Sequence, residues 1–168
     1  MERICIVLAD AARARLYTFE EREVSPGQQV QALEERVDLV NPERRRRPSE
    51  LFSESRPGSD RAPSGRGFTT DDHREAHIRE VDRRFASSIV DETARLARGH
   101  GATRVIVAAS PHLLGELRLA AGPLRRAHLH LDELDRDLTS FSASQMQDYL
   151  ADCGLLPARP RIADQPWP

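Results

Sequence analysis

A short apolar run followed at once by a helix signal limits the fold of this chain more than any other feature. The segment "RVIVAA", residues 104–109, is apolar after its first position and holds three β-branched residues. Such a run is typical of a strand buried on both faces of a sheet. Ser110 and Pro111 then suit the N-cap and first position of a helix that continues until Gly122 and Pro123 end it. The pattern predicts a strand–helix unit of an α/β protein.

The N-terminal forty residues predict three further strands. "RICIVLA" (residues 3–9) is apolar, and "ARLYTFE" (14–20) alternates in character. The link "DAAR" is short enough to join them as an antiparallel hairpin. "VQALEERVDLV" (30–40) follows a turn cluster and predicts a third strand.

The second half continues with helices and one more strand. From Asp71 onward, apolar residues recur every three or four positions until "GHG" at 99–101, which predicts one long amphipathic helix. "AHLHLDEL" (127–134) alternates as a strand does. Ser142 and Gln145 form a capping box for a last helix that reaches about Cys153, with Gly154 as its stop. We predict a single α/β domain over residues 1–154, a mixed β-sheet flanked by helices, and an extended Pro-rich tail over 155–168.

Composition limits the classes of function. The net charge of -2 excludes a protein whose whole surface binds polyanions, and all 25 basic residues are arginine, as GC-rich coding favours. The start of the chain lacks the features of a signal peptide, and no apolar run is long enough for a membrane helix. We therefore expect a soluble cytoplasmic protein without a membrane partner. Cys5 and Cys153 have no ligand spacing and are expected to be buried free thiols.

A long segment without apolar periodicity, residues 41–70, begins with "NPERRRRPSELFSESRPG". Its part from residue 43 on holds seven arginines against four acidic residues, so it is net positive on a net negative protein. Flexible Arg-rich segments can order on RNA through phosphate contacts and stacking. An unstructured loop with a coding bias toward Arg is the alternative. The predicted RNA-binding residues are Arg44, Arg45, Arg46, Arg47, Arg56, Arg61, Gly65, Arg66 and Gly67.

Several polar clusters allow an enzyme as the alternative. Asp10 follows the first strand, where nucleases of the ribonuclease H type place metal-binding carboxylates, and Asp38 with Asp71 or Asp72 could join it. A hairpin-turn aspartate is the simpler interpretation. His73 and His77 have metal-ligand spacing on a helix, and His128 and His130 share a strand face; we interpret both pairs as surface histidines. We predict no catalytic residue, no metal and no cofactor, and a metal-dependent hydrolase or nuclease stays open.

Four segments in order resemble the bacterial host attachment protein family. They are "VLADAARARLY" (7–17), "RPGSDRAPSGRGF" (56–68), "HREAHIREVDRRFASSIVDE" (73–92) and "VIVAASPHLLGELR" (105–118). The same order is more remotely similar to the middle domain of archaeo-eukaryotic peptide-chain release factors. That resemblance implies a ribonuclease H-like fold in which a basic loop precedes a long helix and enters the ribosome.

In release factors that loop carries Gly-Gly-Gln, which helps water attack the peptidyl-tRNA ester. Here Gly65, Arg66 and Gly67 keep a glycine–arginine character, but Phe68 stands where the glutamine is needed, and Gly-Gly-Gln is absent from the sequence. The resemblance thus implies a non-catalytic, translation-associated protein whose partner is the ribosome or ribosomal RNA. The edge strand of a mixed sheet allows a homodimer as well as a monomer. A surface interaction, as the family name suggests, is the third hypothesis, against which the missing export signal stands.

Overall fold

The computed structural model describes residues 1–45 and 69–160. Within these ranges five strands form one sheet, and five helices accompany it. The strands are β1 (Glu2–Ala9), β2 (Arg13–Ser25), β3 (Gln28–Val40), β4 (Arg104–Ala109) and β5 (His130–Asp135). The helices are α1 (Pro42–Arg45), α2 (Thr69–His100), α3 (Pro111–Ala120), α4 (Gly122–Arg126) and α5 (Ala143–Asp152).

The sheet is mixed, as predicted. Its strand order is β3-β2-β1-β4-β5; β2 runs antiparallel to both of its neighbours, while β1, β4 and β5 run parallel to one another. Strands β1, β3, β4 and β5 therefore all end at the same edge of the sheet, which we call the carboxyl edge. The residues that directly follow these four strands, among them Asn41 after β3, therefore lie at this edge.

Alternation along β1 divides the core into two layers. Ile4, Ile6 and Leu8 face one side of the sheet, where Met146 and Leu150 of α5 cover them. The intervening residues of β1 face the other side, which α2, α3 and α4 cover with apolar side chains that include Phe85, Ile89, Leu113, Leu117 and Leu124. A strand buried on both faces needs helices on both sides, because each fully buried aliphatic side chain stabilises the fold by about 1.5 to 3 kcal/mol. The prediction for "RVIVAA" is confirmed: β4 is buried from Val105 to Ala109.

Three details around α3 and α4 differ from the sequence predictions. Ser110 does occupy the N-cap of α3, but its side chain makes no capping hydrogen bond. Helix α3 ends at Ala120, before Gly122 and Pro123 as predicted, but these two residues also begin a further short helix, α4, because proline is well suited to the first turn of a helix. Strand β5 starts at His130, so His128 lies in the turn before the strand and not on a strand face with His130.

The ends of the predicted 41–70 loop also differ from the prediction. Pro42–Arg45 form the short helix α1, and α2 already begins at Thr69. The capping box of Ser142 and Gln145 is confirmed, with Ser142 Oγ accepting from the Gln145 backbone N–H at 3.2 Å.

Both cysteines are free, as predicted, but only one of them is buried. Burial raises the pKa of the Cys5 thiol to about 12. Cys153 at the end of α5 is exposed, contrary to the prediction. Beyond it, Leu156 is buried beside α5, and Arg159 donates two hydrogen bonds to Asp148 at 2.7 Å. The start of the Pro-rich tail is thus packed on the domain.

Candidate nucleic-acid interface

The start of the Arg-rich segment, residues 41–70, is held at the carboxyl edge. Asn41, directly after β3, is 5% exposed. Its backbone N–H donates to Ala12 O at 2.8 Å, and its side-chain amide donates to Ala11 O at 3.0 Å. Its own carbonyl oxygen accepts from the backbone N–H groups of Arg44 and Arg45 at 3.2 Å. A buried asparagine with these bonds holds the β1–β2 turn and begins α1.

The buried carboxylate of Asp82 in α2 binds Arg44 of the short helix α1. Asp82 is fully buried, and its two oxygens accept from Arg44 Nε at 2.9 Å and Arg44 Nη2 at 3.1 Å. His112 Nε2 of α3 lies 2.9 Å from Asp82 Oδ2. A carboxylate only accepts hydrogen bonds, so the proton of this bond is on the imidazole nitrogen. Three elements, α1, α2 and α3, are joined through this one carboxylate.

Glu43, the acidic residue of α1, also lies close to basic side chains of α2. Glu43 lies 3.5 Å from His77 Nε2 and 3.6 Å from Arg84 Nη2, both on the outer side of α2. The interpretation of His77 as a surface histidine agrees with its 63% exposed side chain. In the described ranges no group of three or more His, Cys, Asp or Glu side chains is arranged to hold a metal ion.

The predicted RNA-binding residues fall into three situations. Arg44 is bound to Asp82 and is a structural residue of the domain. Arg45 is exposed and makes no ion pair with any described residue. The other seven lie outside the described residues: Arg46, Arg47, Arg56, Arg61, Gly65, Arg66 and Gly67.

Asp10 behaves as the hairpin-turn aspartate of the simpler interpretation. Its Oδ1 accepts from the backbone N–H groups of Ala12 at 2.7 Å and Arg13 at 2.8 Å. Its Oδ2 and Asp137 Oδ1 both lie within hydrogen-bond distance of the Thr139 hydroxyl, at 3.0 and 2.6 Å. One hydroxyl donates a single proton, so the two carboxylates share Thr139. Asp10 thereby also fastens the segment after β5 to the hairpin.

Two carboxylates on β3, Asp38 and Glu35, are paired with arginines of β2. Arg13 donates to both oxygens of Asp38, at 2.8 and 2.7 Å, and this bonding lowers the pKa of Asp38. Asp38, which the nuclease hypothesis needed beside Asp10, is therefore a partner of Arg13. Arg15 donates to both oxygens of Glu35, at 3.0 and 2.7 Å, and lowers the pKa of Glu35 in the same way.

Sequence reasoning missed Asp82 and His112, the two residues that hold Arg44. The available signal was the position of Asp82 in the apolar stripe of α2, between Val81 and Phe85, where a charged residue needs a buried partner. No comparable signal identified the partner, because Arg44 is one of four consecutive arginines.

The five-stranded sheet and its helices define a small α/β domain with a candidate binding site that begins at its carboxyl edge. The chain belongs to the host attachment family, described as "protein required for attachment to host cells", which matches residues 5–150. No curated protein matches the sequence.

Among solved structures, the chain is similar to the type II variant of the Aquifex aeolicus Ppx/GppA phosphatase, with 12% sequence identity and a TM-score of 0.39. The similarity covers 80% of this chain and 36% of the phosphatase chain. In the described part of the protein, no helix is both long and apolar enough to cross a membrane.

Proposed function

We propose that this protein is a non-catalytic, cytoplasmic, translation-associated factor that binds the ribosome or ribosomal RNA through residues 45–68. The proposal includes a ribonuclease H-like fold of the type found in the middle domain of release factors. The order of elements supports this part: two antiparallel strands, a third strand, the Arg-rich segment, a long helix and an apolar strand ending in small residues.

The observation that carries the proposal is the anchoring of Arg44 by Asp82. Because Glu43 and Arg44 are both neutralised by the folded domain, the charge that remains available begins at Arg45. Residues 45–68 hold six arginines and three acidic residues, so this segment carries a net charge of +3, against -2 for the whole chain. A net positive segment whose first residues are held by the folded domain suits contacts with phosphate groups.

Co-sedimentation with ribosomes tests the proposal, using extracts of growing and of starved cells. The informative variant is R45Q/R46Q/R47Q, which leaves Arg44 and its bond to Asp82 intact. The matched control is R22Q/R79Q/R136Q, which removes three exposed arginines of the described surface. We expect the wild type and the control to sediment with ribosomes and the segment variant to stay in the supernatant.

Equal sedimentation of the segment variant and the wild type would contradict the proposal, and so would a wild type that never sediments. The non-catalytic part has its own test. Because the Asp10 carboxylate is occupied by backbone N–H groups and Thr139, we expect millimolar Mn²⁺ to leave the thermal midpoint unchanged. A midpoint that rises with Mn²⁺ and no longer rises in D10N would favour the hydrolase alternative.

A further inference from the structure

Three exposed arginines that have no acidic partner among the described residues lie on neighbouring parts of α2 and α4. Arg22, Arg45 and Arg136 have none either, and they lie on other elements. Most described arginines belong to an ion pair, whereas Arg98 of α2 and Arg125 and Arg126 of α4 are exposed and belong to none. His128 follows them in the turn before β5 and is also exposed. We call these four residues the amino-edge patch, because β4 and β5 begin beside them.

A shallow groove lies next to the amino-edge patch, and Arg98 is the member of the patch that lines it. Its volume is about 340 Å³, and it lies where the C-terminal part of α2 meets the turn after α4. Arg98 lines it on one side, and Ala127 and Leu129 line it on the other. The rest of the lining consists of small side chains, Ala94, Ala97, Gly101 and Ala102. Small side chains let a partner approach closely and offer no groups that read base edges.

The acidic residues around the amino-edge patch either pair with arginines outside the patch or lie far from it. Glu92 is bound to Arg95, and Glu133 accepts from Arg118 Nε at 2.6 Å. Asp91, on the same side of α2 as Arg98, is two helical turns away, or about 10 Å along the axis. The three arginines therefore present a net positive surface of about three charges.

The backbone N–H groups of the turn after α4 are already hydrogen-bonded and cannot bind an anion. His128 adopts a left-handed conformation, with φ of 56°. Its N–H donates to Arg125 O at 3.0 Å, and the N–H of Leu129 donates to Leu124 O at 3.3 Å, which is a Schellman ending. Because both N–H groups are used, an anion at this turn has to be bound by the guanidinium groups of the amino-edge patch.

We propose that Arg98, Arg125 and Arg126 bind the phosphate backbone of RNA, as a second contact besides residues 45–68. The inference rests on the proposed function. The Arg-rich segment starts at the carboxyl edge, and the amino-edge patch lies at the opposite edge. The eight residues of β1 separate the two edges by about 26 Å. Two basic surfaces this far apart suit a large, folded RNA better than a short single strand.

Binding of a short fluorescein-labelled RNA duplex, followed by anisotropy, tests the amino-edge patch. The variants are R98Q/R125Q/R126Q, the single R98E, the control R22Q/R79Q/R136Q, and R45Q/R46Q/R47Q. R98E guards against misfolding, because the side chains of Arg125 and Arg126 lie against Arg118 O and Gly122, whereas the Arg98 side chain makes no hydrogen bond to any described residue.

The patch variant is expected to weaken duplex binding at least tenfold and to lower the slope of log K against log salt by about 2 to 3, at about 0.9 per phosphate contact. R98E should weaken binding severalfold, and the control should bind as the wild type does. A patch variant that binds normally would overturn the inference, and so would a wild type that does not bind the duplex.

Two further measurements distinguish the phosphate groups of RNA from free phosphate and from those of lipid headgroups. Potassium phosphate is expected to displace the duplex no better than potassium chloride of equal ionic strength; stronger displacement would mean a site for free phosphate and would overturn the RNA assignment. Binding to vesicles of phosphatidylglycerol without binding to RNA would overturn it too. Failure of R45Q/R46Q/R47Q to change ribosome sedimentation would reject the proposed function by itself, since the duplex assay reports on the amino-edge patch independently.

Discussion

Arg44 donates two hydrogen bonds to the fully buried carboxylate of Asp82, 2.9 Å from Nε to Oδ1 and 3.1 Å from Nη2 to Oδ2. This pair ties the start of the Arg-rich segment to the middle of α2. The first of the four consecutive arginines is thus part of the folded domain. From its charge alone, Arg44 would be predicted to bind RNA as the three arginines after it are.

Replacement of Arg44 by alanine is expected to lower the free energy of unfolding by about 2 to 4 kcal/mol. The physical reason is that the buried carboxylate of Asp82 then keeps, among the described residues, only His112 as a side-chain partner. Urea denaturation measures the loss. R45A, one position further and exposed, is the matched control and is expected to stay within about 0.5 kcal/mol of the wild type. Equal effects of R44A and R45A would contradict the structural role of Arg44.

Glu35 is expected to make stability depend on pH in the acid range. Arg15, and then the Tyr17 hydroxyl at 3.2 Å, bond the Glu35 carboxylate and hold its pKa below the ordinary value of 4.5. The ionised group therefore contributes stability above pH 4.5, and this contribution is lost as the pH falls through the lower pKa of the folded state. E35Q should be less stable than the wild type at pH 7, and the difference should shrink on acidification.

The matched control for Glu35 is E34Q, because Glu34 pairs with Arg36 while both side chains stay about half exposed. Exposed pairs of this kind contribute little to stability. Thermal midpoints of the three proteins between pH 3 and pH 7 decide the prediction. A difference between E35Q and the wild type that stays constant over this range would contradict it.

The fold was largely predictable because its signals are local. The alternation of "ARLYTFE", the apolar run "RVIVAA" and the capping box at Ser142 each identify an element within a few residues. The end of α3 before Gly122 was predictable, but the start of a second helix at Gly122 and Pro123 was not. The same two residues suit the end of one helix and the start of another; here they do both, and Leu124 packs α4 against the core.

The turn after α4 provides a test of backbone strain. His128 has φ of 56°, a conformation that costs an L-residue about 1 to 2 kcal/mol and glycine almost nothing. Since glycine also has more freedom in the unfolded chain, we expect H128G to raise the free energy of unfolding by about 0.5 to 1 kcal/mol. Urea denaturation checks this value.

The control for H128G is the reverse change at an equivalent position. Gly101 ends α2 with φ of 67°, and a Cβ there would lie 3.2 Å from Arg3 Nη1. G101A is expected to be less stable than the wild type by about 1 to 2 kcal/mol. A destabilised H128G would show that the imidazole makes a contact that outweighs the backbone strain.

The two cysteines are expected to differ in reactivity. Cys5 is buried in β1 with its pKa raised to about 12, whereas Cys153 is exposed at the end of α5. Because the thiolate is the reactive form, Ellman's reagent should modify one thiol per chain in the native protein and both in urea. C153S should leave no fast-reacting thiol. Rapid reaction of native C153S would mean that β1 opens readily.

The candidate site could be predicted only in part. The excess of arginine in residues 43–70 is a property of the sequence alone, so the site could be proposed without a structure. The division between Arg44 and Arg45 depends on where α2 and α3 place Asp82 and His112, which are 38 and 68 residues further along the chain than Arg44. The amino-edge patch likewise joins residues of α2 and α4, and no local pattern connects them.

The affinity of purified ribosomes for the wild type and for R45Q/R46Q/R47Q, measured at several salt concentrations, tests the central claim most directly. The account predicts that the wild type binds with an affinity that falls steeply as salt rises. The segment variant should bind more weakly, with a slope of log K against log salt lower by about 2, at about 0.7 to 0.9 per lost phosphate contact. Equal affinities and equal slopes for the two proteins would contradict the account.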